Sequence, residues 1–76
     1  MTDKAYIVAN KEQELDVLKK LEQQGLLWID GEKPTKWFPS ESHPFPFFLN
    51  EFDYITWDFL DYLKDEEIVY DGRKGK

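Results

Sequence analysis

Between Asn10 and Gly25 the sequence spells out a helix with a start, an apolar stripe and a stop, and that segment dictates what the rest of the chain has to supply. Asn10 is a good N-cap, and Gln13 follows three residues later, as in a capping box. Leu15, Val17, Leu18 and Leu21 fall on one stripe at helical spacing, while Glu12, Asp16, Lys19, Lys20 and Gln23 fall opposite. Acids come early and lysines late, which suits the helix macrodipole. Gly25 can take the left-handed conformation just past the C-terminus. The spacing therefore predicts one amphipathic helix over 11–24, with Leu15, Leu18 and Leu21 buried. A helix of this length is marginal alone in water, so its apolar face needs a sheet to cover it.

The flanking segments provide one. Residues 4–9 form a β-prone run and read as a first strand. Residues 26–29 read as a second strand, closed by the Asp30-Gly31 turn. Residues 32–35 are loop, 36–38 a short extended piece ended by Pro39, and 40–44 a polar loop. Residues 45–49 are apolar and extended, but Pro46 lacks a ladder donor, so this strand lies at an edge or starts late. A turn at 50–53 leads to a strand at 54–57. Asp58 is placed to cap a short helix with Phe59, Leu60, Tyr62 and Leu63 on its buried side. Residues 68–70 make a last strand, and 72–76 a frayed basic tail. The order predicts an α+β fold, a small antiparallel or mixed sheet with the long helix packed on one face and a short second helix. The length allows one domain over 1–76, without internal repeat or linker.

Composition narrows the chemistry. There is no cysteine, which excludes a disulfide framework, a thiolate zinc site and a cysteine nucleophile. A secreted domain this small is usually stapled, so the expected home is the cytoplasm. The start, Met1-Thr2-Asp3-Lys4, lacks the pattern of a signal peptide, and no apolar stretch is long enough to cross a bilayer. The net charge of -6 is uneven: residues 1–38 carry six Lys against seven Asp/Glu, and 39–76 carry nine acids against four bases. Such a field repels phosphate backbones, which disfavours nucleic acid as a partner. An acidic half is in most proteins a solvated surface.

His43 is the only histidine, set between Ser42 and Pro44 in a loop, and reads as exposed rather than as a general base. No carboxylate run has the spacing of a calcium loop, and the four glycines are scattered rather than gathered into a phosphate cradle. Asp58, Asp61 and Asp65 share one face of the short helix, at a density that is usually plain solvated acid. No cofactor or metal is expected. One feature is concentrated: Phe45, Phe47, Phe48, Phe52, Tyr54, Trp57, Phe59 and Tyr62 fall close together among Glu51, Asp53, Asp58 and Asp61. Base-stacking rings would be expected with basic neighbours. Most of these rings are expected in the core, and those left outside suit a protein partner with a basic surface.

The pattern Leu21-x-x-x-Gly25-x-x-Trp28-x-x-Gly31-x-x-Pro34-Thr35, with the closing Ile68-Val69-Tyr70, resembles small proteins of phages and prophages of Gram-positive bacteria. The resemblance covers the first half and the last strand; residues 40–67 carry no matching feature. That family has no assigned activity, so the resemblance implies an origin. It also implies binding rather than catalysis, since phage accessory proteins of this size commonly bind and inhibit or redirect a host protein.

These readings converge on a small non-enzymatic interaction protein whose acidic, aromatic second half contacts a protein partner. Trp37, Glu51, Phe52, Asp53, Asp58 and Asp61 are the contact residues expected, with Phe52 the first choice for an exposed ring and Trp37 the second. Mimicry of nucleic acid toward a basic groove is one particular form of this reading. The alternative is a structural or homo-oligomer-forming domain with every large ring inside.

Overall fold

The computed structural model describes residues 3–74. Strand β1 (Lys4–Val8) leads into helix α1 (Lys11–Gln23), and β2 (Phe47–Glu51), β3 (Ile55–Phe59) and β4 (Glu67–Asp71) follow. The sheet order is β3-β2-β1-β4. β1 and β3 run antiparallel to β2, whereas β4 runs parallel to β1, so the sheet is mixed. The fold is α+β, as the residue pattern predicts.

The helix begins and ends where its residues dictate. Asn10 Oδ1 accepts the Gln13 N–H at 2.9 Å. Gln13 Oε1 reaches back one residue further than in a capping box and accepts the Ala9 N–H at 2.7 Å. At the other end Gly25 has φ +87°, and the bonds Leu26 N–H to Leu21 O and Gly25 N–H to Glu22 O form a Schellman closure. Val17, Leu18 and Leu21 are buried against Tyr6, Val8, Phe47, Leu49 and Ile55 on one face of the sheet. Each full burial of this kind stabilises by roughly 1.5–3 kcal/mol. Leu15 is only half-buried; the stripe's buried place at the first turn goes to Glu14.

Glu14 is an exception with a cause. Its Oε1 and Oε2 accept the Ser40 Oγ–H (2.7 Å) and N–H (3.1 Å), so a helix-start carboxylate pins the loop that carries Phe38 and Pro39 over the core. Lys11 supports the same loop, with Nζ 4.6 Å from the centre of the Phe38 ring.

The second half departs further from expectation. Residues 26–29 are not a full strand. They contribute one parallel bridge to β3, where Ile55 N–H donates to Leu27 O (2.9 Å) and Ile29 N–H to Ile55 O (3.1 Å). Residues 34–36 and 39–41 are 3-10 turns, each opened by a proline, with Trp37 and Phe38 extended between them. β2 starts after the cis Phe45–Pro46 peptide and lies inside the sheet rather than at its edge. It continues through Asn50 and Glu51, which tightens the turn to 52–54. The short second helix is the 3-10 turn Leu60–Tyr62. Its Leu60 and the following Leu63 pack on Ala5, Ile7 and Phe48, the sheet face opposite α1. Phe59 and Tyr62, expected on the buried side, are exposed: β3 runs on through Phe59, and Tyr62 falls in the 3-10 turn that follows. The expected fraying does not begin at Gly72: its N–H donates to Ile7 O (2.7 Å) and its O accepts from Gln13 Nε2 (3.1 Å). Residues 75 and 76 of the expected tail lie outside the described residues.

Candidate functional site

The outer flank of β3 concentrates the exposed rings. Ile55 gives both backbone groups to residues 27–29 and so faces away from β2. Alternation along an antiparallel strand turns Trp57 and Phe59 the same way. The Phe59 N–H is taken by Asp58 Oδ1 at 2.8 Å. Trp57 has no such partner among the described residues, because the chain leaves the edge after Ile29. There Gly31, at φ +93°, donates to Trp28 O (2.7 Å), and Trp28 N–H donates to Glu32 O (2.8 Å). The edge of β3 is therefore closed at Ile55 and open at Trp57.

Beside that opening Trp28, Ile29, Asp30, Trp37, Thr56 and Trp57 line an open cleft of about 240 Å³. Trp28 is fixed as its floor: it is buried, and its Nε1–H donates to Pro34 O at 3.1 Å. Trp37 stands edge-on to Trp28 at 5.3 Å between ring centres. Past the cleft the rings continue, Trp57 to Phe59 at 5.3 Å and Phe59 to Tyr62 at 6.5 Å. His43 is not a plainly exposed loop residue: its ring lies 4.3 Å from that of Trp57 and 5.7 Å from that of Phe59. It serves as a packing surface for the aromatic row.

Of the expected contact residues, Trp37 lines the cleft and is exposed. Phe52 is 43% exposed and pairs edge-on with Tyr54 at 6.2 Å, so these two rings crown the β2–β3 hairpin beside exposed Asp53. Asp58 and Asp61 are exposed along β3 and the turn after it. Glu51 stands apart. It is half-buried on the helix side of the sheet, where Oε1 accepts the Tyr6 hydroxyl at 2.6 Å. Burial first, then the hydrogen bond and charge of Glu51, push the Tyr6 phenol well above the ordinary tyrosine range. Ile29, the most exposed large apolar side chain at 66%, was not among the expected residues, nor were Phe59 and Tyr62. The signal for Ile29 was its place directly before the Asp30-Gly31 turn, where a strand has no further neighbour to cover it.

Among the described residues no three His, Asp or Glu side chains gather in a way that could hold a metal ion, and no helix is long and apolar enough to cross a membrane. Comparison with protein-family models, with curated proteins and with solved structures finds no match.

Proposed function

We propose that this chain is a protein-binding module that takes an extended segment of a partner along the open edge of β3, with one apolar side chain seated in the tryptophan cleft. The observation that carries the reading is the coincidence of three things at Trp57: an unpaired strand edge, a cleft walled by Trp28, Trp37 and Trp57, and exposed rings flanked by Asp30, Asp58 and Asp61. Strand addition supplies affinity through main-chain bonds, and a neighbouring pocket supplies selection. The carboxylates favour a segment carrying lysine or arginine. The resemblance to small phage and prophage proteins fits the same reading, with a host or phage protein as the partner and inhibition as one consequence of occupying its segment. Glu51 is left out of the contact set, since Tyr6 engages it.

The test is selection of peptides from a random displayed library against the full chain, followed by amide and indole shift mapping. Extended peptides alternating apolar and basic residues should emerge and should shift Thr56, Trp57 and the Trp37 indole. Trp37→Ala should weaken them about tenfold or more, as expected for a ring at the centre of an interface. Lack of enrichment, or shifts confined to another face, would overturn the reading.

A further inference from the structure

The opposite edge of the sheet carries a different message. β4 is the last strand, and its Ile68, Val69 and Tyr70 are 47%, 42% and 39% exposed. Three consecutive large apolar residues on an unpaired edge are a template for another strand. The flanks say which strand. Asp65, Glu66 and Glu67 precede the apolar triplet, and Arg73 and Lys74 follow it. An antiparallel copy of the same segment lays the acidic end of each strand against the basic end of the other. We propose that two copies of this chain pair antiparallel through β4, joining their sheets into one.

The backbone also narrows the register. β4 pairs with β1 as Lys4↔Glu67, Ala5↔Ile68, Tyr6↔Tyr70 and Ile7↔Asp71, with a bulge between the second and third pairs. Glu67 and Tyr70 therefore share the helix face, and Ile68 and Asp71 share the other. Residues directly opposed across an antiparallel pair lie on one face. Face parity allows Ile68 opposite Asp71 of the second copy or Glu67 opposite Tyr70. The second sets Glu66 toward Asp71, like charges, whereas the first turns the acidic residues before each strand toward the basic turn that follows the other, closed by the Lys74 N–H to Asp71 O bond at 3.2 Å. Sliding by one residue in one direction sets Glu67 against Asp71, like charges on opposite faces; sliding in the other leaves only Val69, Tyr70 and Asp71 of the strand paired. Face parity and charge together leave the alignment with Ile68 opposite Asp71. Both charged partners are already held near the strand. Glu66 Oε1 accepts the Lys64 N–H at 2.8 Å, and the Arg73 Nη2–H donates to Asp71 Oδ2 at 2.9 Å. This edge is separate from that of β3, so the inference stands or falls independently of the partner-binding reading.

Sedimentation equilibrium of the full chain, from about 1 µM to about 1 mM, should show a monomer–dimer equilibrium. Two-fold symmetry places each charge pair twice in the interface. Glu66→Arg alone and Arg73→Glu alone should each weaken the dimer about tenfold, and the double variant should restore it. Because the chain has no cysteine, a second measurement is available that depends on neither charge inversion. A mixture of Ile68→Cys and Asp71→Cys chains, each checked for native circular dichroism, should oxidise preferentially to the mixed disulfide dimer, since opposed strand residues lie within disulfide reach. A chain that remains monomeric throughout the range would overturn the proposal. So would charge variants that weaken the dimer without mutual rescue, or disulfides formed at random.

Discussion

Individual polar side chains decide how the sheet and its loops are tied down, and Tyr6 shows how. Its ring is buried on the helix face, and its hydroxyl donates to Glu51, which is itself half-buried. Tyr6→Phe keeps the ring and removes the bond, leaving a carboxylate oxygen without its donor. The expected loss is roughly 1–3 kcal/mol at neutral pH, measured by urea unfolding. The same pair predicts an alkaline limb. In the folded chain the phenol holds its proton to higher pH than in the unfolded chain, through burial first and Glu51 second. Above the ordinary value of about 10, the unfolded state loses a proton that the folded state keeps. Protons then favour folding, and stability falls as pH rises through that window. The contribution is fully present below pH of about 10 and is lost toward the folded value. Tyr6→Phe should flatten that part of the curve; an unchanged alkaline slope in the variant would show that Tyr6 does not set it.

At the scale of elements, the place where β1, α1 and β4 meet is held by one residue, Gln13. Its N–H caps on Asn10, its Oε1 takes the Ala9 N–H, and its Nε2–H reaches Gly72 O. A Cβ on Gly72 would collide with the Gln13 amide and come within 2.9 Å of Ile7 O. Gly72→Ala should therefore cost about 1–3 kcal/mol and raise amide exchange at both Gln13 and the end of β4. Exchange unchanged at Gln13 would show that the two ends are not coupled. This junction was half legible in the sequence. Asn10, Gln13 and Gly25 announce the helix ends because capping is local chemistry, and the β-prone run at 4–9 announces β1 for the same reason. Glu14 was illegible: nothing nearby in the chain says that a carboxylate on the apolar stripe will be satisfied by Ser40, twenty-six residues away. Residues 26–29 failed as a strand for a related reason. Their apolar content is strand-like, but the Asp30-Gly31 turn removes the chain after a single bridge, and only the tertiary position of β3 shows where that bridge forms. Phe59 and Tyr62 were assigned inward because a short helix was read where β3 continues through Phe59 and a single 3-10 turn then carries Tyr62. A shift from period 3.6 to period 2 reverses which side chains face out. The exposure of Phe52, in contrast, followed from its polar turn.

For the whole molecule, the two open edges and the uneven charge describe one arrangement. The sheet ends at β3 on one side and β4 on the other, so a partner strand and a second copy can occupy it together. The net charge of -6 gives this body a field that draws in basic segments and repels phosphate backbones, and such a field acts on encounter more than on the final contact. The test is a variant that lowers charge on the β3 flank while sparing structure. Asp58→Asn keeps the acceptor that holds the Phe59 N–H, and Asp61→Lys sits on the exposed turn. The double variant should change unfolding free energy by less than about 0.5 kcal/mol, as expected for surface positions. Stopped-flow binding of a selected basic peptide should show association slowed by about tenfold at low salt, with dissociation nearly unchanged. Raising the ionic strength shrinks the Debye length to roughly 3 Å at 1 M, so the difference between variant and parent should vanish there. A difference that persists at high salt, or that falls on dissociation, would mean that Asp58 and Asp61 make close contacts instead of steering. Duplex DNA provides the control: the parent chain should not bind it, and tight, salt-sensitive DNA binding would show that the acidic field does not govern what this surface meets.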